Sequence, residues 1–391
     1  MSTPSTQEIE LTCLMPCLNE SRTIGACVEL AQESIKSLGI YGEVLVADNG
    51  STDGSIEIAR ALGARVIDVS VKGYGSALIN GIHSSNGKFI IMGDADGTYE
   101  WDKIDEIYSK LTQGYDLVMG NRFANKIVAG AMPFLSRFIG NPILSFLGRV
   151  FFQIKVSDFH CGLRGFSKAK VSTLSLNCKG MEFASEIVIK SALSNFKITE
   201  VPTSLLPGPI DRKPHLRPFR DGWRHLRLML SFAPLWSMIL PGRLFLIPGL
   251  LLSAIIYLNQ GNFLGFNFRE HTLIIAMGFI LIGVSSILLG VLGLFSLSNY
   301  QRFKENFYLK KLRKAQVLES LLIFGLTVST IGLFVILESV EVWKNYGFAS
   351  LQSASLLSQL TPGVLSLLIG IQLMFTSFLF ETIKSNLNKL D

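Results

Sequence analysis

Hydrophobic and polar positions follow two rhythms along this chain, and the change falls near residue 230. Before it, short apolar runs at 9–15, 43–48, 64–69, 87–92 and 115–119 are bounded by Gly, Asn and Asp, which predicts strands. Between them, 20–38, 53–62, 75–84 and 101–113 carry helical spacing. Alternation of this kind predicts an α/β domain with a largely parallel sheet covered on both faces. After residue 235 the apolar stretches lengthen. A helix needs roughly 20 apolar residues to cross the hydrocarbon, and four stretches supply them: 240–258, 273–298, 317–337 and 363–381. Pro241, Gly242, Arg243 and Pro248 crowd the start of the first, so its buried part is expected to begin after Arg243.

Composition agrees with this division. Of 391 residues 49% are hydrophobic and 17% charged, which excludes a disordered chain and argues against a wholly soluble globule. The net charge of +6 is local rather than general, with basic runs at 212–227 and 300–314 beside the apolar stretches. That placement marks membrane flanks, not a nucleic-acid surface. The loop after the second span carries Arg302, Lys304, Lys310, Lys311, Arg313 and Lys314 against Glu305, whereas 259–272 and 338–362 are poor in Lys and Arg. With four spans, this places that loop, both termini and the α/β domain on the cytoplasmic side. The start, MSTPSTQEIELTC, lacks the basic and apolar regions of a signal peptide. Cys13, Cys17, Cys27, Cys161 and Cys178 show no metal-type spacing and are expected as reduced thiols. The span centres hold no acid or base, which argues against transport. The Gly-rich GVLSLLIG at 363–370 is expected to serve close helix packing.

In a parallel sheet, ligands sit at the carboxyl ends of the strands. The five expected ends read PCLNE (16–20), ADNGSTDGS (47–55), VKGYGSALING (71–81), GDADGTYEW (93–101) and GNRF (120–123). Each alone is an ordinary turn signal; together they line one edge. Asp94 and Asp96, one residue apart, can both approach one hard divalent cation. A cation there can bridge and neutralise a nucleotide diphosphate. A dinucleotide fingerprint fails, because GYGSAL lacks the third glycine and does not follow the first strand.

Taken in this order and spacing, PCLNE, ADNGSTDGS, KGYGSA, GDAD and GNRF resemble the family 2 inverting glycosyltransferases of the GT-A fold. DFHCGLRGFSK at 158–168 and the basic segment before the spans resemble the polyprenyl-phosphate subgroup, the dolichyl-phosphate-mannose and -glucose synthase type. The resemblance covers about 9–230. It implies a GT-A nucleotide-sugar-binding domain over 1–215; hydropathy and charge spacing add an interfacial segment over 216–239 and a four-helix all-α membrane domain over 240–391. It further implies that Pro16, Asn19, Glu20, Asp48, Lys72, Gly73, Gly75 and Asp94 surround the nucleotide sugar. Asp94 and Asp96 would hold Mg²⁺ or Mn²⁺, and Asp96, Asp158 and Arg122 would carry the catalysis. Arg122, Arg137, Arg164, Arg212, Arg217 and Arg220 would meet the acceptor phosphate. Asp158 is expected to orient Arg164 or the acceptor rather than act as a base. Thr98 departs from the Gln that mannose-using members often place there, which leaves the third metal ligand open.

From Arg217 to Leu230, Arg217, Arg220, Arg224 and Arg227 share one helical stripe, and Phe219, Trp223, Leu226 and Leu230 another. Such a helix suits a membrane interface. The expected reaction is inverting transfer of a hexose, with UDP-glucose as leading donor, to polyprenyl phosphate at the cytoplasmic face. The partners are then a nucleotide sugar, a polyprenyl phosphate lipid and the membrane, with self-association left open and no nucleic acid. Transfer from GDP-mannose, transfer to another lipid, and a nucleotide-sensing scaffold without turnover remain as alternatives. A processive polysaccharide synthase should show Gln-x-x-Arg-Trp, and no Arg-Trp pair occurs.

Overall fold

A computed structural model describes residues 8–125, 127–209, 217–258, 262–263, 266–267, 270–304, 309, 312, 316–348 and 354–388. The chain divides into two compact units, one up to Met229 and one from Leu230.

The first unit is built on a seven-stranded sheet: β1 (Leu11–Cys17), β2 (Gly42–Asp48), β3 (Arg65–Asp68), β4 (Phe89–Met92), β5 (Leu117–Asn121), β6 (Arg164–Ser167) and β7 (Ile198–Pro202). The order is β3-β2-β1-β4-β6-β5-β7, parallel except for β6. The central strands are apolar almost throughout, as strands buried on both faces must be. Helices α1 (Ile24–Ser37), α2 (Ser55–Ala61), α3 (Tyr74–Ser84) and α4 (Asp105–Thr112) follow successive strands, and α5 (Asn141–Phe152), α6 (Lys168–Val171), α7 (Phe183–Leu193) and α8 (Pro218–Ser231) complete the unit. All five expected strands form within two residues of their forecast bounds.

Two features of the sheet decide where chemistry can occur. The chain runs outward from β1 through β2 to β3 and then returns to β4 on the other side of β1. That reversal opens a crevice at the carboxyl ends of β1 and β4, which brings PCLNE beside GDAD. The antiparallel β6 then enters between β4 and β5 from the same edge, with Arg164 opposite both Met92 and Met119. The segment 158–163 is therefore delivered to the carboxyl ends of the parallel strands. Neither β6 nor β7 is foreseen from hydropathy, since RGFS and ITEVP are short and half polar.

Among its described residues the second unit holds four helices long and apolar enough to cross a membrane, Leu235–Leu258, His271–Ser296, Val317–Asn345 and Leu356–Leu387. Within it the Gly-rich stretch serves close packing: a side chain on Gly363 would meet the Gly332 carbonyl at 3.0 Å, and one on Gly325 the Gly370 carbonyl at 2.7 Å. Backbones of the third and fourth helices approach this closely only because these positions are small. Of the basic loop, Lys310, Lys311, Arg313 and Lys314 lie outside the described residues.

The first unit also carries apolar residues on its surface. Phe134, Phe138, Ile143 and Phe146 are each more than half exposed, while Ser145, Gly148 and Phe152 on the other side of α5 are buried. A π-helical turn at Ser136–Gly140 precedes α5. Patches of this kind mark interaction surfaces.

Candidate active site

The loops after β1 and β2 are sewn together. Asn19, in the left-handed region at φ 58°, accepts from the Thr52 N–H at 2.8 Å, and its own N–H donates to Ser51 Oγ at 2.9 Å. The Glu20 N–H donates to Ser55 Oγ and the Ser21 N–H to Asp53 Oδ2, both at 2.9 Å. Asp48 is buried and closes its own turn, accepting from the N–H groups of Gly50 and Ser51 at 2.8 and 3.0 Å and from Ser51 Oγ at 2.5 Å. Ser51, Asp53 and Ser55 thus rank with the expected residues, although sequence patterning did not single them out. Burial works against the Asp53 carboxylate, but hydrogen bonds from Ser55 and Ser21 outweigh it and hold its pKa down to about 2.

Lys72 Nζ donates to the Asn49 carbonyl at 2.5 Å, which folds KGYG against the β2 loop. Gly73 has φ 134°, and a side chain there would run into the Lys179 carbonyl; one on Gly75 would run into that of Cys178. The close approach these glycines permit is to the backbone of 178–180. Gly73→Ala is expected to cost about 1–3 kcal/mol of unfolding free energy, read as a lowered thermal midpoint.

Asp94 and Asp96 leave β4 at its carboxyl end. Asp94 Oδ1 accepts from the Tyr74 hydroxyl at 3.0 Å, and Asp96 Oδ1 accepts from Thr98 N and Oγ1 at 3.0 and 2.6 Å. Thr98 therefore braces Asp96. Among the described residues no cluster of three or more His, Cys, Asp or Glu is arranged to hold a metal. Two carboxylates still suit a Mg²⁺-like ion, which is commonly held by one or two protein carboxylates and completed by water and substrate phosphates. The donor set fits a cation that arrives with a diphosphate.

The 158–163 segment meets this pair directly. A side chain on Gly162 would lie 2.8 Å from Asp94 Oδ2, and the Gly162 N–H donates to the Tyr99 hydroxyl at 2.8 Å. Burial, and then the charge of neighbours including Asp94, raise the Tyr74 pKa well above its usual value, so its hydroxyl stays a donor. At the start of the segment Asp158 is fully buried and grips Arg122, which follows β5. Arg122 Nε donates to Oδ2 at 2.6 Å, Nη2 to Oδ1 at 2.8 Å, and the Arg122 backbone N–H to Oδ2 at 3.1 Å. This is a two-pronged guanidinium–carboxylate pair.

Asp158 orients Arg122, not Arg164. Arg164 is fully buried and donates to the carbonyls of Cys161 and Ala184, so it supports the loop from beneath rather than facing a lipid phosphate. Arg137 is half-buried with its guanidinium carbon 5.3 Å above the Phe138 ring. Arg212 lies outside the described residues. Arg217 and Arg220 open α8, where the Arg217 N–H donates to Asp221 at 2.7 Å and the half-exposed Arg220 side chain lies 3.4 Å from the same carboxylate. In α8, Phe219 and Trp223 are exposed as expected, while a third stripe, Asp221, His225 and Met229, is buried.

The profile of Glycosyl transferase family 2 matches residues 12–174, and that of the family 2 C-terminal transmembrane region matches 295–384. Glycosyltransferase AglJ of Haloferax volcanii is 35% identical over 213 residues, covering 54% of this chain and 67% of AglJ. The chain belongs to glycosyltransferase family 2. A low-salt glycan biosynthesis hexosyltransferase of the same organism is 39% identical over 246 residues, 63% of this chain. That match spans 57% of the relative's length. A dolichyl-phosphate hexose transferase, also from Haloferax volcanii, is 28% identical over 193 residues, 49% of this chain and 81% of that protein. Residues 12–174 of this family 2 chain run from within β1 to beyond β6 and include Asp94, Asp96, Arg122 and Asp158.

Two imidazoles lie behind the site. Burial lowers the His225 pKa to about 4 and pushes His160 well below its usual value. A neutral buried imidazole whose folded pKa lies below the unfolded value of about 6.5 contributes stability above that pH. The contribution is lost as pH falls from about 6.5 toward 4. The thermal midpoint should decline over that window, and His225→Asn should flatten the decline.

Proposed function

We propose that this chain transfers a hexose, glucose from UDP-glucose, to a polyprenyl phosphate at the cytoplasmic membrane face, with inversion at the anomeric carbon. One observation carries the reading. The 158–163 segment links the Asp158–Arg122 pair to the Asp94 carboxylate: Asp158 at its start holds Arg122, and Gly162 four residues on lies beside Asp94 and donates to Tyr99. A cationic group for an acceptor phosphate thus adjoins an acidic pair for a metal-bound diphosphate. The relatives support hexose transfer, and one is named for a dolichyl-phosphate reaction.

In this scheme Pro16, Asn19, Glu20, Asp48 and Lys72 border the donor, and the sewn loops hold its pocket in shape. Asp94 and Asp96 would hold a divalent cation, which would supply charge neutralisation for the departing diphosphate. An acceptor phosphate oxygen attacks the anomeric carbon as the bond to the diphosphate breaks. A phosphate monoester has a second pKa near 6, so the acceptor is mostly dianionic at neutral pH and needs no base. Asp158 accordingly serves Arg122 instead, which occupies both its oxygens and whose charge it holds in place. The exposed apolar side of 134–146, together with Phe219 and Trp223, suits work at a lipid surface.

Sidedness provides the test. In sealed vesicles, a membrane-impermeant nucleotide sugar should be used only when the cytoplasmic face is outward, and a tag at Lys311 should share that face with both termini. Use of donor from the opposite face, or a Lys311 tag exposed there, would overturn the cytoplasmic assignment.

A further inference from the structure

Three side chains from three separate segments form a buried hydrogen-bonded chain behind the Asp158–Arg122 pair. His160 belongs to the 158–163 segment, Ser185 to α7 and His225 to α8. Ser185 Oγ lies 3.0 Å from His160 Nε2 and 2.8 Å from His225 Nδ1, and the two rings meet edge to face at 4.5 Å. Ser185 is fully buried and His225 nearly so.

A hydroxyl has one proton, so Ser185 donates to one ring and accepts from the other. Among the described residues, His160 Nδ1 is buried without a partner. A buried N–H without an acceptor costs more than an unused ring lone pair, so we assign Nδ1 as the unprotonated nitrogen. The chain of donation then runs from His160 Nε2–H to Ser185 and from Ser185 to His225 Nδ1. Three apolar residues would seal this contact without burying polar groups, which cost free energy unless paired. What the polar trio adds is direction: each hydrogen bond fixes a ring angle as well as a distance.

Both ends of the chain sit where direction matters. His160 is two residues from Asp158, and its backbone N–H lies 3.4 Å from Asp158 Oδ1. His225 lies in the buried stripe of α8 between Asp221 and Met229, while Phe219 and Trp223 face outward from the same helix. Next to Ser185, the Ala184 carbonyl accepts from Arg164 Nη1 at 2.9 Å, which fixes this turn of α7 against the base of β6.

We propose that His160, Ser185 and His225 are positioning residues that couple α8 to the Asp158–Arg122 pair, so that the seating of α8 sets where the Arg122 guanidinium meets the acceptor phosphate. This rests on the proposed acceptor role of Arg122. Displacement of the outer face of α8 passes through His225 and Ser185 to the backbone that carries Asp158.

The test uses the full chain in lipid bilayers, comparing His225→Leu, Ser185→Ala and His225→Asn, the last retaining a polar atom near the Nδ1 position. One lost hydrogen bond is worth about 1 kcal/mol, so Leu and Ala should accelerate amide exchange over 158–163 several-fold. They should raise KM for polyprenyl phosphate by a similar factor and leave kcat and nucleotide-sugar binding nearly unchanged. His225→Asn should stay close to the unaltered chain on both counts. Unchanged exchange overturns the proposal, as does faster exchange with unchanged KM. His225→Asn behaving like His225→Leu would show that bulk, not the hydrogen bond, is the agent, and also overturns it. If the unaltered chain uses no polyprenyl phosphate, the proposed function fails instead, and the exchange readout alone decides the coupling.

Discussion

Asp96→Asn should leave this protein folded and almost without transferase activity. The substitution keeps an oxygen where Asp96 Oδ1 accepts from Thr98 N and Oγ1, so the turn after β4 retains its hydrogen bonds. What it removes is one of the two negative charges that Asp94 and Asp96 bring to the crevice between β1 and β4. Charge neutralisation by a bound metal is worth several kcal/mol in the transition state, and about 4 kcal/mol corresponds to roughly 10³-fold in rate. We expect a loss of that size in kcat, a thermal midpoint within a few degrees of the unaltered protein, and the same loss when EDTA is added to the latter. Restoration by Mg²⁺ or Mn²⁺ completes the expectation. Full activity in EDTA would remove the metal from the account.

Arg122→Ala should act first on stability. Asp158 has no exposed surface, and both its oxygens are matched by the guanidinium. Removing one partner of a buried pair leaves an uncompensated charge and costs about 3–5 kcal/mol. For a unit of this size that lowers the midpoint by roughly 6–20 °C. The pair is not itself required for folding, because apolar replacements of similar volume are often neutral or better. The double variant Arg122→Met, Asp158→Leu should therefore recover most of the midpoint while remaining inactive. Recovery of activity along with stability would mean that the pair is structural and that acceptor capture lies elsewhere. A thermal melt beside a transfer assay, on both variants, separates the two outcomes.

The expected and observed structures agree wherever the information is periodic. Short continuous apolar runs such as LTCLMPC and FIIM, bounded by turn residues, read as strands buried on both faces, and the four long apolar stretches have no polar interior to confuse them. Loops at strand ends were legible as a set, because a parallel sheet has one ligand-facing edge. What stayed hidden was partnership across long separations. Nothing local in DFHCGLRGF tells which arginine Asp158 grips; that depends on β6 running antiparallel between β4 and β5, and β6 is too short and polar to announce itself. Arg164 and Arg122 are equally basic in sequence, yet one is sealed against carbonyls and the other is clamped at the site. The α8 stripe of Asp221, His225 and Met229 was hidden between two more conspicuous stripes, since two of its three members are polar. Ser185, in a helix buried along its whole length, carried no pattern at all.

The transfer reaction itself is the most direct test. Purified full-length protein in bilayers is supplied with polyprenyl phosphate, Mg²⁺ or Mn²⁺, and UDP-glucose or GDP-mannose labelled in the sugar. The account predicts that label from UDP-glucose moves into an organic-soluble polyprenyl-phosphate hexose in equal amount to the UDP released, with the β configuration expected when an α-linked donor is inverted. Label that stays water-soluble with every donor, or that reaches a lipid lacking the phosphate, would contradict it.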